Sequence, residues 1–208
     1  MASPPVKDFP LFPLPLVLLP TEVVPLHIFE ERYKTMISLC LDERREFGIM
    51  WLADDGLKEV GCAAQIAEVL ERAPDGRMNI LVRGSTPFRL VERQEDLVYP
   101  AGTIEFLQDG AADVESGVGK EARERYADLL EHITDERPDP AALAELSAYE
   151  MAASVEMESQ LKQGLLELRS EQERLSLLAR LFKDGMKRLE LAEKIAERAR
   201  VNGKVSFQ

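Results

Sequence analysis

A stretch rich in proline and aliphatic residues near the start of the chain constrains the fold most. Residues 9–33 read FPLFPLPLVLLPTEVVPLHIFEERY, with no charge before Glu22. Proline has no amide hydrogen to donate to a sheet ladder, and it breaks a helix from within. The apolar residues between the prolines therefore predict short strands, edge-like or broken at Pro13, Pro15, Pro20 and Pro25.

The next segment predicts an amphipathic helix. From residue 29 to residue 41 the apolar side chains recur at three- and four-residue spacing, which places them on one helical face. These residues are Phe29, Tyr33, Met36, Ile37, Cys40 and Leu41. A pair of strands that leads into one helix is a compact unit, and we expect it to nucleate the first lobe.

Turn sequences divide the following part of the chain into further short strands. Asp54-Asp55-Gly56 and Pro74-Asp75-Gly76-Arg77 are typical of turns, because proline presets the backbone and glycine permits a positive φ. Predicted strands lie at residues 47–52, 60–70, 78–82, 88–92 and 99–107. Short strands with regular turns and one embedded helix predict a strongly bent sheet or a partly closed barrel.

The second half of the chain has a helical apolar period. It follows a polar segment at residues 108–119, which predicts a loop or hinge. Helices are predicted at residues 120–133, 141–157 and 159–168, and a last one from residue 170 onward. Ser170 and Glu173 have the spacing of a capping box. Gly185 marks either a weak point in one long helix or a gap between two.

The predicted fold class is therefore α+β. A β-rich, barrel-like lobe with one embedded helix occupies residues 1–116, and an α-helical lobe ending in a long helix occupies residues 117–208. With 208 residues the chain can bury a substantial core, as one domain or as two small lobes.

Four segments carry a resemblance to a known family. In chain order they are FPLFPLPLVLLPTEVVPLHIFEERYKTMI, FGIMWL, VGCAAQIAEVLERAPDGRMNILVRGSTPFRLVE and LSAYEMAASVEMESQLKQGLLELRSEQERLSLLARLF. They resemble the Lon substrate-binding (N-terminal) domain, especially its stand-alone bacterial versions and the related domain of cereblon. The resemblance implies a PUA-like β lobe, a peptidase S16-like classification and the binding of protein clients.

Catalytic motifs are a separate question, because a Lon-like domain suggests an ATP-dependent protease. The nearest approach to a phosphate-binding loop has Val114 at its first glycine position and Glu121 at its hydroxyl position, so it does not match. The Lon peptidase uses a serine–lysine pair in a downstream domain that these 208 residues do not contain, and no G-x-S-x-G occurs. His27 and His132 lack the spacing of a zinc site. We expect no catalytic residue, no metal, no cofactor and no dependence on ATP.

Composition limits the partners. The net charge of −12 disfavours both nucleic acid and anionic membranes. The start MASPPVKDFP lacks a signal-peptide pattern, and the apolar run after it is too short and too rich in proline to span a bilayer. Cys40 and Cys62 occupy apolar positions that predict buried free thiols, with a disulfide between them left open. These features predict a cytoplasmic protein.

The candidate binding residues are aromatic and cationic. The helix start at residues 30–34 combines mixed charges with an aromatic ring, which suits the edge of a peptide site. The predicted peptide-binding residues are Phe29, Arg32, Tyr33, Trp51 and Tyr99. Trp51 lies inside an apolar strand, and a core position is the more common role for such a residue.

The functional hypothesis is non-catalytic recognition of proteins or peptides, through exposed apolar or unfolded segments. The segment would dock into a groove or extend a sheet edge. One alternative is an adaptor or scaffold that joins a proteolytic or regulatory complex through the C-terminal helix. Another is a small hydrolase that uses His27 with carboxylates such as Glu30. The sequence leaves the oligomeric state open.

Overall fold

The computed structural model of the protein describes residues 4–94, 97–110 and 117–202. Its elements are β1 (Val6–Leu14), β2 (Val23–Ile28), α1 (Glu31–Glu43), β3 (Phe47–Ala53), β4 (Gly56–Arg72), β5 (Met78–Gln94), β6 (Ala101–Phe106), α2 (Gly117–Thr134), α3 (Pro140–Glu145), α4 (Ala148–Ala153), α5 (Ser159–Glu167) and α6 (Glu171–Asn202). A six-stranded sheet comes first and helices follow, so the predicted α+β class is confirmed.

The chain divides into two compact units, which we call the sheet unit and the helical unit. The sheet unit is Met1–Ala112 with Ser147–Glu171, and the helical unit is Asp113–Leu146 with Gln172–Gln208. The boundary predicted between residues 116 and 117 would place α4 and α5 with the other helices, whereas here they belong to the sheet unit. Within the predicted loop at 108–119, residues 111–116 lie outside the described residues.

Five of the six strands close into a ring. β1 is parallel to β3 on one side and antiparallel to β6 on the other. β6 also pairs with β5, and antiparallel ladders through β4 connect β5 back to β3. β2 stays outside the ring and pairs with β5. The predicted barrel-like lobe with a helix between its strands is confirmed, and α1 is that helix.

β4 and β5 are each 17 residues long, where the sequence predicts several shorter strands. Bulges interrupt the ladder between them, for example between Cys62 and Ala64, and a bulge bends a strand without ending its pairing. The first part of β5 pairs with β2, and its last part pairs with β6. One bent strand therefore takes two partners in succession, which a local sequence pattern does not reveal.

The prolines of the opening stretch fall both inside strands and between them. Pro13 lies within β1 and Pro25 within β2, whereas Pro15 and Pro20 lie in the connection that joins these strands. β2 pairs along one side with β5, so the missing amide hydrogen of Pro25 is tolerated at an edge. The ladder of β1 with β6 covers Val6 to Pro10, and Pro13 lies beyond it. At Pro13 and Pro25 the strand therefore continues along an edge, and at Pro15 and Pro20 it is interrupted.

The core inside the ring is built around Phe88, whose side chain is fully buried. The ring of Phe9 meets it edge-on, with centroids 5.7 Å apart and an interplanar angle of 64°. Such pairs add stabilisation beyond the area that they bury. The core also contains Leu11, Met50, Ala63 and Ile104. Because these side chains come from every strand of the ring, closure of the ring buries one face of each strand.

The connection between β1 and β2 is held against β5 through backbone atoms. The amide of Thr21 donates to the carbonyl oxygen of Gly84, and the amide of Gly84 donates to the carbonyl oxygen of Glu22, both at 2.9 Å. Leu18 and Leu19, just before these bonds, are buried. The connection is therefore a packed part of the sheet unit and ends where β2 begins.

Helix α5 is attached to the sheet through polar side chains. Lys162 Nζ binds Glu22 Oε1 at 2.5 Å, and the other oxygen of Glu22 accepts the amide hydrogen of Leu19 at 2.9 Å. Gln163 Nε2 donates to the carbonyl oxygen of Val60 at 3.1 Å. These contacts to β4 and to the β1–β2 connection explain why α5 packs with the sheet.

The helix predicted at residues 141–157 is two short helices, α3 and α4. Leu146 has an extended backbone, and Ser147 caps α4. The hydroxyl of Ser147 accepts from the amide of Glu150, and the carboxylate of Glu150 accepts from the amide of Ser147, which is a capping box. Beyond Gly185, in contrast, α6 continues unbroken as one helix. None of the helices in the described ranges combines the length and apolar character needed to cross a membrane.

Both cysteines are free and buried. Burial raises the pKa of the Cys40 thiol to about 11, and the full burial of Cys62 raises its pKa further. The thiolate is the reactive form, and two pKa units change its fraction about 100-fold. We therefore expect a thiol reagent at pH 8 to modify native protein at least about 100-fold more slowly than protein unfolded in denaturant. Rapid, stoichiometric labelling of native protein would contradict this burial.

Candidate peptide-binding groove

Two adjoining depressions lie on the sheet unit, with cavity volumes of about 740 and 350 Å³. Of the described residues, five line both of them: Pro13, Arg32, Leu57, Arg93 and Pro100. We call the two depressions together the groove, and we distinguish the larger and the smaller depression. Because these residues line both volumes, the two depressions are adjacent and the shared residues form the boundary between them.

The larger depression is formed where β1 and β2 end and α1 begins. Glu30 has an extended backbone, with φ −74° and ψ 138°, and its carbonyl oxygen accepts the amides of Tyr33 and Lys34. The side chain of Glu30 does not cap the helix. It binds Arg32 instead, through two contacts of 2.9 Å. The abrupt change from strand to helix therefore brings Phe29, Glu30 and Arg32 to one edge of the depression.

Tyr33 lies deeper in the larger depression and is buried. Its ring packs on the ring of Phe12, with centroids 4.1 Å apart and a tilt of 30°. The guanidinium of Arg32 lies over the same ring, 4.6 Å from its centroid. Burial raises the pKa of Tyr33, so its phenol is neutral at physiological pH. The depression thus has a rigid aromatic side with a cation above it.

Phe29 is exposed beside His27. The two rings stack with centroids 5.7 Å apart and an angle of 22°. His27 Nδ1 donates to Asn79 Oδ1 at 2.6 Å, and Asn79 Nδ2 donates to Glu71 Oε2 at 2.8 Å. His27 and Glu71 are both cross-strand partners of Asn79. This chain of hydrogen bonds orients the imidazole, and the imidazole supports the exposed Phe29.

The smaller depression is lined by residues just before β6. Leu97, Val98, Tyr99 and Pro100 contribute, and Leu97 and Val98 are exposed. Tyr99 is half-buried, and burial raises its pKa. Both depressions therefore have exposed apolar side chains on their surface, and the charged residues lie near their shared boundary.

The structure brings four of the five predicted peptide-binding residues into the groove. Phe29, Arg32 and Tyr33 line the larger depression, and Arg32 and Tyr99 line the smaller one. Trp51 lines neither depression. It is half-buried with Lys58 Nζ 5.7 Å from its ring centroid, so it is neither fully in the core nor in the groove. That the four residues bind a peptide stays a prediction.

Sequence reasoning missed Leu52, Arg93, Leu97 and Val98, all of which line the groove. Strand alternation indicates that Leu52 and its neighbour Trp51 face opposite ways, but it does not indicate which of the two faces the groove. The pair Leu97-Val98 is apolar within a connection where exposed residues are usually polar, and that was a signal. Arg93 gave none, because an exposed arginine on a strand is ordinary.

The groove is suited to the non-covalent binding of a ligand. Its chemistry is apolar surface with guanidinium and imidazole groups. His27 binds Asn79 and Glu30 binds Arg32, so the pairing of His27 with Glu30, the example that the hydrolase alternative names, does not form. Within residues 4–94, 97–110 and 117–202, no three His, Cys, Asp or Glu side chains lie close enough together to hold a metal ion. Apolar contact, aromatic stacking and hydrogen bonds from guanidinium groups are what this surface offers a ligand.

Comparison with known proteins decides the family. The model of the ATP-dependent protease La (LON) substrate-binding domain matches residues 8–184. The chain belongs to this family. Among curated proteins, the Lon protease of Bacillus thuringiensis (strain Al Hakam) is 27% identical over 214 residues, covering 92% of this chain and 26% of that protein. The chain thus spans about a quarter of the length of that Lon protease.

Solved structures of Lon N-terminal domains share the fold. A Lon N-terminal domain protein from Xanthomonas campestris has a TM-score of 0.65 at 22% identity, covering 83% of this chain and 97% of that one. The N-terminal domain of a Mycobacterium avium complex Lon protease has a TM-score of 0.60 at 21% identity, covering 86% and 99%. The Lon family resemblance expected from the sequence is therefore confirmed, together with the fold that it implies.

Proposed function

We propose that the groove binds exposed apolar segments of client proteins, without ATP and without cleaving them. The observation that carries this proposal is a cluster of exposed apolar side chains on one concave surface. Their exposed fractions are 58% for Phe29, 50% for Leu52, 41% for Leu97 and 74% for Val98. Apolar surface concentrated in this way typically marks an interaction site. Membership of the substrate-binding family supports the same role.

Docking into the groove suits this surface better than strand addition. β2 has an open edge, but it is only six residues long and Pro25 removes one of its amides. The groove instead offers about 740 and 350 Å³ of space next to rigid aromatic rings. An extended segment can place one apolar side chain in each depression, while its backbone passes over the shared boundary.

The test is the affinity for a labelled, permanently unfolded protein, measured by fluorescence anisotropy. We expect Phe29→Ala to weaken binding about tenfold, because an aromatic side chain loses its buried area in the complex. Ile195→Ala is the matched control, since Ile195 has the same exposed fraction of 58% but lies on α6. Adding ATP and magnesium is expected to change neither affinity nor the length of the client on a gel.

Other outcomes have clear meanings. Absence of saturable binding at tens of micromolar would overturn the proposal. Weaker binding by Ile195→Ala with no change for Phe29→Ala would favour the adaptor alternative, which relies on the exposed Leu191 and Ile195 of α6. Cleavage of the client would show that the chain is an enzyme. The proposed site of action is the cytoplasm.

A further inference from the structure

Among the residues that the structure describes, the shared boundary of the groove holds more positive than negative charge. Arg32 and Arg93 both line the two depressions there, and Glu30 is the carboxylate among the described lining residues. Glu30 binds Arg32 through its Nε and a terminal nitrogen, both 2.9 Å from Glu30 Oε2. Among the described lining residues there is thus one carboxylate for two guanidinium groups, and it binds Arg32 and not Arg93.

Arg93 has no neutralising neighbour within the described part of the chain. Its side chain makes no hydrogen bond or ion pair with a described residue. Its cross-strand partner on β6 is Gly102, which has no side chain to lie over it. The side chain is exposed and borders both depressions. A planar guanidinium with free donors is the group that best recognises a carboxylate, since it can bind both oxygens at once.

The position of Arg93 indicates where that carboxylate lies in the ligand. Apolar surface continues on both sides of the boundary, towards Phe29 and Leu52 in one direction and Leu97 and Val98 in the other. If the carboxylate were the C-terminus of the ligand, the ligand would extend from the boundary in one direction and would fill one depression only. An acidic side chain inside a segment allows apolar residues on both sides to reach both depressions.

We propose that the groove selects an extended apolar segment with one Asp or Glu in its middle, whose carboxylate binds Arg93. This inference rests on the proposed function and adds a client class to it. The selected segment carries a single acid, because the protein as a whole has a net charge of −12 and repels a strongly acidic client. The attraction is local to the boundary, and the apolar residues on either side provide most of the binding energy.

The experiment uses four labelled peptides of equal length and the same apolar residues. Three are amidated at the C-terminus and differ only in the central residue, which is Asp, Asn or Lys. The fourth has the central Asn and a free C-terminal carboxylate. We expect the Asp peptide to bind about fivefold more tightly than the Asn peptide, the size of one partly exposed charge interaction. The Lys peptide is expected to bind most weakly. Higher salt should reduce the difference.

Variants identify the residue responsible. Arg93→Gln is expected to remove the advantage of the Asp peptide, so that the Asp and Asn peptides bind this variant with equal affinity. Arg89→Gln is the matched control, because Arg89 is exposed on the same strand, loses the same charge and lines neither depression. Arg93→Glu should make the Lys peptide bind more tightly than the Asp peptide. Circular dichroism and thermal melts establish that each variant is folded.

The outcomes separate this inference from the proposed function. If no peptide binds, the proposed function itself fails. If all the peptides bind equally and Arg93→Gln changes nothing, apolar recognition stands and the selection of an acid is overturned. A preference shown only by the peptide with the free C-terminus would overturn the internal acid in favour of chain-end capture. Loss of the preference in Arg89→Gln would assign the effect to net charge, which also overturns the role of Arg93.

Discussion

Gly84→Ala is expected to destabilise the protein by about 3–5 kcal/mol, as overpacking and the loss of two hydrogen bonds combine. A Cβ at residue 84 would lie 2.0 Å from the carbonyl oxygen of Leu19 and 3.1 Å from Leu18 Cγ. The first contact is with backbone and cannot be relieved by turning a side chain. The backbone of Gly84 is also bonded to Thr21 and Glu22, so it cannot move away without breaking those bonds.

The measurement is the free energy of unfolding in urea. Gly164→Ala is the matched control, because Gly164 lies within α5 of the same unit and a Cβ there meets nothing within 4 Å. Alanine should stabilise that helix position by about 0.5–1 kcal/mol. Equal stability of Gly84→Ala and the unchanged protein would show that the β1–β2 connection does not pack against β5 as described.

Lys162→Met is expected to cost about 3 kcal/mol, because it leaves a mostly buried carboxylate without its counter-ion. The side chains of Lys162 and Glu22 are only 14% and 11% exposed, and their charged atoms lie 2.5 Å apart. The pair also connects α5 with the β1–β2 connection, since Glu22 accepts the amide of Leu19. Its loss removes one of the attachments between α5 and the sheet.

A double-mutant cycle measures this coupling. Glu22→Gln combined with Lys162→Met is expected to cost at least about 1.5 kcal/mol less than the sum of the single changes. Lys187→Met is the control for an exposed ion pair. The side chains of Lys187 and Asp184 are 64% and 62% exposed, and their charged atoms lie 3.4 Å apart. We expect that change to stay within about 0.5 kcal/mol. Additive effects at Glu22 and Lys162 would show that the pair contributes nothing as a pair.

Local structure could be predicted wherever neighbouring residues alone set the backbone. The turn at residues 74–77 forms as expected, with Gly76 at φ 84° and the amide of Ala73 bonded to the carbonyl oxygen of Arg77 at 2.8 Å. Helices α1 and α5 also lie where their apolar spacing placed them. In each case the residues that predict the turn or helix are the same residues that form it, so the prediction did not depend on a contact with a distant part of the chain.

Long-range pairing decided what the sequence did not show. The two 17-residue strands extend through bulges because partners from distant parts of the chain continue their ladders. The break between α3 and α4 is, in contrast, local: Ser147 and Glu150 form a capping box whose spacing is visible in the sequence, even though the apolar spacing continues across it. α5 belongs with the sheet because Lys162 and Gln163 find polar partners there.

The residues of the candidate groove also fall into those that the sequence could predict and those that only the tertiary structure brings together. Phe29, Arg32 and Tyr33 could be chosen together, because a strand that turns directly into a helix keeps them close along the chain. Arg93 joins them only through the pairing of β5 with β6 and the closure of the ring.

The sequence by itself determined the family, through four segments spread along the chain. It also determined the α+β class, the main turns and the helix start that borders the groove, because these depend on residues near one another in the chain. Tertiary structure alone decided that Leu52 and not Trp51 faces the groove. It also decided that Arg93 lies opposite Gly102. The physical reason is strand register, since a shift of one residue turns every side chain of a strand to the other face.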